Sequence, residues 1–264
     1  MNIYILADLE GISGVYCREQ VLPDQKRFDE GRRYLTREIN ICAEACKAAG
    51  AEKVYVRDAH GGSYTLIWEK LSPAVDVAVC GNTGSERYPG LEDCDAVILL
   101  GYHAMAGTQG ALLEHTMSST SVQNYWLNGV RIGEIALDSA ILTERNKPVI
   151  MVSGDDAACA EAKQFLPRVT TAEVKKSVRC FGTCLLSPAE SERRIREGVK
   201  AAIEAFQAGE LDTYPTEKPV RFRVEYTERT QLPNPVTRPY MNIIDGRTIE
   251  VSADSVEEAL WRIL

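Results

Sequence analysis

Two kinds of hydrophobic pattern alternate along the first two-thirds of the chain. Short apolar runs bounded by Gly, Asp or His predict buried strands at residues 2–8, 52–58, 76–81, 95–103 and 148–154. Segments with apolar residues at helical spacing predict helices from Asp24 to Gly50 and over residues 134–146 and 155–165. Because strands separated by helices usually pair in parallel, the pattern predicts an α/β fold with helices flanking a mostly parallel sheet.

The pattern changes in the last third of the chain. Ser187, Pro188 and Glu190 form a capping box that opens a helix to about Ala208. Beyond a connector, VRFRVEY (220–226) alternates with period two, which predicts a half-exposed antiparallel strand, and a strand at 248–252 precedes a short final helix. We therefore predict an α/β domain over residues 1–210 and a smaller α+β subdomain over 211–264, against which part of 107–133 is expected to pack.

Composition and charge narrow the class of protein. The 264 residues carry a net charge of −8, which argues against a nucleic-acid partner because phosphate binding needs a basic surface. No apolar run approaches the ~18 residues of a membrane span, and no secretory signal is visible. We expect a cytoplasmic protein with no membrane partner. The eight cysteines include no CxxC pair, so we also expect free thiols.

Candidate chemistry gathers where the predicted strands end. Asp8 and Glu10 follow the first strand, His60 follows the second and His103 the fourth. His115, the third histidine of the chain, lies in a loop of small and polar residues. Ligands of open α/β sheets bind outside the carboxyl ends of the strands. The sequence therefore predicts that acids and histidines meet at one edge of the sheet.

This set of donors predicts a metal site. Residues i and i+2 of an extended segment point to the same side, so Asp8 and Glu10 are expected to face one spot. Two close carboxylates repel one another and lose hydration in a pocket, and a divalent cation offsets both effects. Imidazole and carboxylate without paired thiols suit zinc or a similar metal, and four or more such ligands leave room for two metals.

Glu134 is ambiguous from local sequence. It follows Gly133 at the start of a predicted helix, with Asp138 one turn later on the same face. An acid in the first turn favours the helix dipole, which by itself is a sufficient reason for its presence. A metal-ligand role is the alternative.

Five segments, taken in order, resemble the zinc-dependent D-aminopeptidase family of the DppA type. They are ADLEGISG, RDAHG, GYHAMAG, EHTMS and NGVRIGE, and the likeness covers the whole chain. The resemblance implies that the larger domain is catalytic and binds two zinc ions per subunit. It also implies five metal ligands, which are Asp8, Glu10, His60, His103 and Glu134. The implied catalytic residue is His115. The implied assembly is a homodecamer of two pentameric rings.

The hypothesis that follows is a cytoplasmic metallopeptidase. It would cleave short peptides with an N-terminal D-amino acid, such as D-alanyl-D-alanine, a chirality that only the resemblance supplies. No serine or cysteine nucleophile motif accompanies His115, so we expect it to act in proton transfer or oxyanion stabilisation.

Three alternatives stay open at the level of sequence. The same ligands would serve a dinuclear phosphoesterase, for which Arg57 and Asn124 are the nearby phosphate-binding candidates. A non-catalytic nucleotide-binding module is the second, although its GISG segment is not the usual glycine-rich loop. The third is a structural shell protein, which would have no need of the ligand set.

Overall fold

A computed structural model describes residues 1–234 and 237–264. Residues 235 and 236, inside the predicted 211–264 subdomain, lie outside the described part. Twelve strands in the described part are β1 Asn2–Ala7, β2 Lys53–Asp58, β3 Val77–Val79, β4 Ala96–Tyr102, β5 Val122–Leu127, β6 Val130–Ile132, β7 Val149–Asp155, β8 Thr170–Arg179, β9 Gly182–Leu185, β10 Val220–Tyr226, β11 Asn242–Ile243 and β12 Thr248–Ala253. Five α-helices in the same part are α1 Phe28–Ala48, α2 Glu134–Glu144, α3 Asp156–Phe165, α4 Pro188–Gln207 and α5 Val256–Ile263.

The main sheet has seven strands in the order β3-β2-β1-β4-β7-β8-β9. Every neighbouring pair is parallel except β8 with β9. This confirms the predicted class, an α/β fold with a mostly parallel sheet. The strand order reverses between β1 and β4, and the crevice at such a reversal is where open α/β sheets bind ligands.

The two faces of the main sheet bury different apolar sets. Ile3 and Ile5 of β1 pack with Leu35 of α1 and Val199 of α4. On the opposite face, Leu6 belongs to a core that also includes α2, α3 and the second sheet. A strand that is covered on both faces has apolar residues at nearly every position, which explains the composition of β1.

The second sheet is antiparallel, in the order β11-β12-β10-β5-β6. Strand β10 pairs with β5, from within 107–133, on one side and with β12 on the other. Strands from both sides of residue 210 thus share one sheet. The division into 1–210 and 211–264 stays a prediction.

One local expectation was wrong, and two strands were missed. Helix α1 begins at Phe28, because residues 22–28 form successive turns in which Gln25 N donates to Leu22 O and Phe28 N to Gln25 O. Strands β8 and β9 were not predicted. Lys176 falls at the position between Val174 and Val178 where the alternation would need an apolar residue.

Glycines bring the loop after β1 against the end of β4. Gly11 N donates to Gly101 O at 2.7 Å, and a Cβ on Gly11 would lie 2.0 Å from the carbonyl oxygen of Tyr102. Gly101 has a φ of +72° and equally little room, with Asp8 O 2.4 Å from its ideal Cβ. The close approach places the segment that follows Asp8 beside the segment that carries His103.

All eight cysteines are free thiols. Within the described residues, no helix has both the length and the apolar character needed to cross a membrane.

Candidate metal centre

The structure brings the six sequence-predicted site residues together at the carboxyl edge of the main sheet. Asp8 and Glu10 follow β1, His60 follows β2 and His103 follows β4. Glu134 is the first residue of α2, and His115 lies in the loop before β5. Asp8, Glu10 and His103 are buried, while the other three are partly exposed.

Short distances link these side chains in one chain of contacts. His103 Nε2 lies 3.4 Å from Asp8 Oδ2 and 3.3 Å from Glu134 Oε1. His60 Nε2 lies 3.4 Å from Glu10 Oε1, and His115 Nε2 lies 3.8 Å from Glu134 Oε1. The rings of His103 and His115 stack with their centroids 4.0 Å apart.

Two overlapping groups of donors have metal-site dimensions. One contains Asp8, Glu10 and His103, and the other contains His103, His115 and Glu134. Within each group, the ligand atoms all lie within 4.8 Å of one another. His60 is in neither group, and it joins the cluster through its contact with Glu10.

Several polar atoms of the cluster have no partner. Six buried side-chain atoms in the described part of the chain lack a hydrogen bond, and three of them are Asp8 Oδ2, Glu10 Oε2 and His103 Nε2. Buried polar atoms without partners are destabilising and uncommon, so a concentration of them in one place needs a reason. All three carry lone pairs that suit a cation.

Backbone carbonyls fix the tautomers of two histidines. His103 Nδ1 lies 3.0 Å from Ala104 O, and His115 Nδ1 lies 3.0 Å from Leu113 O. A carbonyl oxygen only accepts, so each Nδ1 must donate its proton, and each neutral ring keeps a lone pair on Nε2. Both Nε2 atoms point toward the carboxylates of the cluster.

The charges of the site conflict without a cation. Burial first, and then the charge of Glu10, raise the pKa of Asp8 well above its usual value. Burial lowers the pKa of His60, but the charge of Glu10, the hydrogen bond to it and the charges of Asp8 and Asp58 together raise that pKa to about 9. Burial raises the pKa of Glu134, but its contact with His103 brings that pKa down to about 2. Burial and the neighbouring His103 lower the pKa of His115.

Nitrogen and oxygen donors in this arrangement fit zinc. Neutral imidazoles and carboxylates are its usual ligands where thiolates are absent, and no cysteine belongs to either donor group of the described chain. The unpartnered lone pairs supply the independent observation that a cation belongs here.

Sequence analysis missed two supporting residues. Lys175 is fully buried in β8, and its Nζ donates to the carbonyls of Glu10, Ile12 and Val15, which secures the loop that carries Glu10. Glu161 of α3 accepts from Met105 N at 2.7 Å and thereby holds the loop after His103. The available signal for Lys175 was a lysine within an otherwise strand-like segment, TTAEVKKSV.

Asp138, one turn after Glu134, sits in a different environment. Its carboxylate accepts hydrogen bonds from the hydroxyls of Tyr88 and Tyr102 at 2.6 Å each and from Nη2 of Arg87 at 2.8 Å. We call these four residues the Asp138 cluster.

A cleft of about 520 Å³ opens over the metal centre. Its wall includes Asp8, Glu10, His60, His115 and Glu134, and it continues to Arg57 and Arg87. Of the two phosphate-binding candidates, Arg57 therefore lines the cleft. Asn124 donates to Glu225 within the second sheet and is not among the described residues that line it.

Comparison with known proteins gives consistent matches over the whole chain. The model of a family described as D-aminopeptidase matches residues 1–264. A D-aminopeptidase of Bacillus subtilis (strain 168) is 30% identical over 258 residues, which span 97% of this chain and 90% of the relative. A solved structure, described as the Zn-dependent D-aminopeptidase DppA from Bacillus subtilis, a self-compartmentalizing protease, superposes with a TM-score of 0.92 at 28% identity. That match covers 100% of this chain and 95% of the DppA chain.

Proposed function

The chain belongs to the D-aminopeptidase family, and from that premise we propose that it hydrolyses short peptides beginning with a D-amino acid, using two zinc ions per subunit. The protein is a zinc-dependent hydrolase. D-alanyl-D-alanine is the model substrate of the proposal. The observation that carries it is the group of partnerless lone pairs on Asp8, Glu10 and His103 at the edge of the sheet.

Five residues are the proposed ligands. They are Asp8, Glu10, His60, His103 and Glu134. His103 belongs to both donor groups, and this overlap supports two neighbouring cations that the five residues together would hold. Lys175 and Glu161 support this set by holding the loops that present Glu10 and His103.

When bound, zinc supplies Lewis acidity for the peptide carbonyl and lowers the pKa of a water molecule toward neutrality. The side chains of the cleft provide the remaining steps. His115 keeps its lone pair on Nε2 because Nδ1 donates to Leu113 O, so Nε2 is the atom that takes up a proton. The same nitrogen then delivers that proton to the leaving amine as the amide C–N bond breaks. In its neutral form the free α-amine of a substrate carries a lone pair that the second cation would hold, which would favour attack at the N-terminal residue.

The proposal includes an assembly and a location. We infer a cytoplasmic homodecamer of two pentameric rings, with an internal chamber that admits only short peptides. Large apolar side chains stand exposed on one chain, among them Trp68 at 77% and Phe181 at 63% exposed. Burying such side chains between subunits would stabilise an assembly, because apolar area would be removed from water. Light scattering of the purified protein gives the assembly mass directly.

The central experiment measures zinc and activity together. Elemental analysis of the purified protein is expected to give two zinc ions per subunit. Chelation should abolish hydrolysis of a D-alanyl p-nitroanilide, and added zinc should restore it. The L-alanyl substrate is the matched control for chirality, and p-nitrophenyl phosphate is the control for phosphoesterase activity. A protein that takes up no metal would contradict the proposal, as would one that cleaves only the phosphate ester.

A further inference from the structure

Arg57 is a buried cation on the wall of the cleft. It lies near the end of β2, is 9% exposed and lines the same cleft as the metal centre. Its Nη1 donates to Gly81 O at 3.1 Å, and its Nη2 lies 3.4 Å from Thr83 Oγ1. Both acceptors are neutral. In residues 1–234 and 237–264, no carboxylate forms an ion pair with Arg57.

The absence of a counter-charge is unusual for a group so deeply buried. Charged side chains are almost never this buried unless they are paired. Arg87, on the wall of the same cleft, shows the usual solution, because its guanidinium is paired with Asp138 at 2.8 Å. Arg57 instead directs an uncompensated positive charge into the cleft, where an anionic ligand would supply the missing partner.

The distance from the metal centre suits a short peptide. Arg57 pairs with Leu6 in the sheet, and both Leu6 and Asp8 line the cleft. The guanidinium reaches toward Gly81 and Thr83, which follow β3. Strand β3 is two strand spacings of ~4.8 Å from β1, so the guanidinium lies on the order of 10 Å from the end of β1. An extended dipeptide spans about 7 Å.

We propose that Arg57 binds the free α-carboxylate of the peptide substrate while the metal centre engages the N-terminal residue. This inference rests on the proposed function and adds a substrate class to it. The enzyme selects short peptides with a free C-terminus, and it discriminates against the same peptides when the carboxylate is amidated. Guanidinium and carboxylate match in bidentate geometry, which makes arginine suited to this recognition.

The first test compares two substrates on the zinc-loaded enzyme, D-alanyl-D-alanine and its C-terminal amide. The wild type is expected to prefer the acid in kcat/KM. Arg57→Met should reduce that preference by about 10–100-fold, through KM rather than kcat, as expected for loss of a charged hydrogen bond. Arg57→Lys should restore part of it. Arg221→Met, at an exposed arginine of β10 outside the cleft, is the control and should leave the preference unchanged.

A second test measures binding without hydrolysis. N-acetyl-D-alanine and its amide have no free amine, and calorimetric titration of each into the holoenzyme reports recognition of the carboxylate alone. The wild type should bind the acid more tightly, and Arg57→Met should remove the difference. If the difference survives in Arg57→Met, zinc rather than Arg57 binds the carboxylate and the inference is wrong.

The two tests separate this inference from the proposed function. Hydrolysis of D-peptides with no preference for the acid would overturn the role of Arg57 and leave the proposed function standing. The opposite result is also possible to distinguish. If binding prefers the acid through Arg57 but no D-peptide is hydrolysed, the proposed function is wrong and the role of Arg57 stands. An equal fall of kcat/KM for acid and amide in Arg57→Met would show a structural role only.

Discussion

Helix α2 carries two acids one turn apart, Glu134 and Asp138, and their surroundings differ. Asp138 is 1% exposed and accepts hydrogen bonds from two tyrosine hydroxyls and one guanidinium. Glu134 accepts from Met117 N, but its nearest charged or ionisable neighbours are histidines that also face Asp8 and Glu10. The Asp138 cluster is therefore complete within the protein, and the metal centre is not.

The difference shows how a buried acid reveals its role. Burial alone does not distinguish the sites, since Asp8, Glu10 and His103 are buried as Asp138 is. The Asp138 cluster supplies one cation and the donors that its carboxylate needs, which is how proteins accommodate a buried charge. The metal centre gathers three acids and three histidines and leaves three of their atoms without hydrogen-bond partners. A structural site is satisfied by its own residues, whereas a binding site lacks the partner that its ligand supplies.

The two sites are also connected. Tyr102, which donates to Asp138 Oδ2, immediately precedes His103. Asp138 and Glu134 share a helix, so the Asp138 cluster anchors the elements that present two proposed ligands. We expect the Asp138 cluster to stabilise these elements to the same extent with and without metal.

The largest effect is expected for Asp8→Asn. The amide has the same shape but no charge, so zinc content should fall and kcat/KM should drop by at least about 10⁴-fold, or roughly 5.5 kcal/mol. Because burial and Glu10 raise the pKa of Asp8, its charge opposes folding at neutral pH in the metal-free protein. Denaturant unfolding in EDTA should therefore show Asp8→Asn to be as stable as the wild type or more so. A loss of metal-free stability would show that Asp8 is structural, like Asp138.

Asp138→Asn should have the opposite signature. It leaves the Arg87 guanidinium, whose side chain is 21% exposed, without its carboxylate. The free energy of unfolding should fall by about 3 kcal/mol, the lower end of the range for breaking a buried pair. Denaturant unfolding in EDTA measures this change, which should be the same size with zinc present at saturation. The matched control is Asp29→Asn, whose side chain is 78% exposed in a surface pair with Arg32, and the expected change is within about 0.5 kcal/mol. An equally small effect at Asp138 would contradict the comparison.

His115→Ala separates a ligand from a proton carrier. His115 Nε2 faces Glu134, and the residue falls in one donor group with His103, yet we propose that it moves protons. The variant should keep two zinc ions per subunit and lose about 10²–10³-fold in kcat, or roughly 2.7–4 kcal/mol. His60→Ala is the control that should lose metal. If His115→Ala also binds less zinc by elemental analysis, His115 is a ligand and its proposed role is wrong.

Local patterning made much of the fold predictable. Strands β1, β2, β4 and β7 lie in continuous apolar runs, and their ends fall within a few residues of the predicted ones. Strand β8 was missed because Lys176 breaks its apolar alternation. The burial of Lys175 was not predictable either, because it depends on contacts with the loop at residues 10–15, more than 150 positions away in sequence. The hydrophobic pattern contains the polarity of each residue, but it contains no information about hydrogen-bond partners that are distant in sequence.

The same limit applies to the site. The residue types at strand ends predicted which side chains would meet, while the roles of Glu134 and His115 came from family resemblance. The partners of Asp138 were invisible, because Tyr88 lies 50 positions away and reaches the carboxylate through the core. The sequence also could not predict that Arg57 lacks an ion-pair partner among the described residues, because this depends on which carboxylates lie near it in the fold. The sequence was sufficient to predict the types of donor side chain in the site. The fold was needed to show which charged side chains have a partner within the protein.

Tyr88→Phe is expected to have the smallest effect of the four substitutions on the free energy of unfolding or activation. The Tyr88 hydroxyl donates to Asp138 Oδ1 at 2.6 Å, and removing it leaves the carboxylate with its contacts to Arg87 and Tyr102. Because the other donors remain, the free energy of unfolding should fall by only about 1.5 kcal/mol, the lower part of the range for a hydrogen bond to a charged group. Tyr4→Phe is the matched control, since its equally buried hydroxyl donates to the neutral carbonyl of Pro89 at 3.2 Å and should contribute about 0.5–1 kcal/mol. Denaturant unfolding of both variants with and without zinc tests the comparison, because a completed cluster predicts the same loss at Tyr88 in either state. A loss that appears only in the zinc-loaded protein would mean that the Asp138 cluster belongs to the metal centre and is not complete by itself.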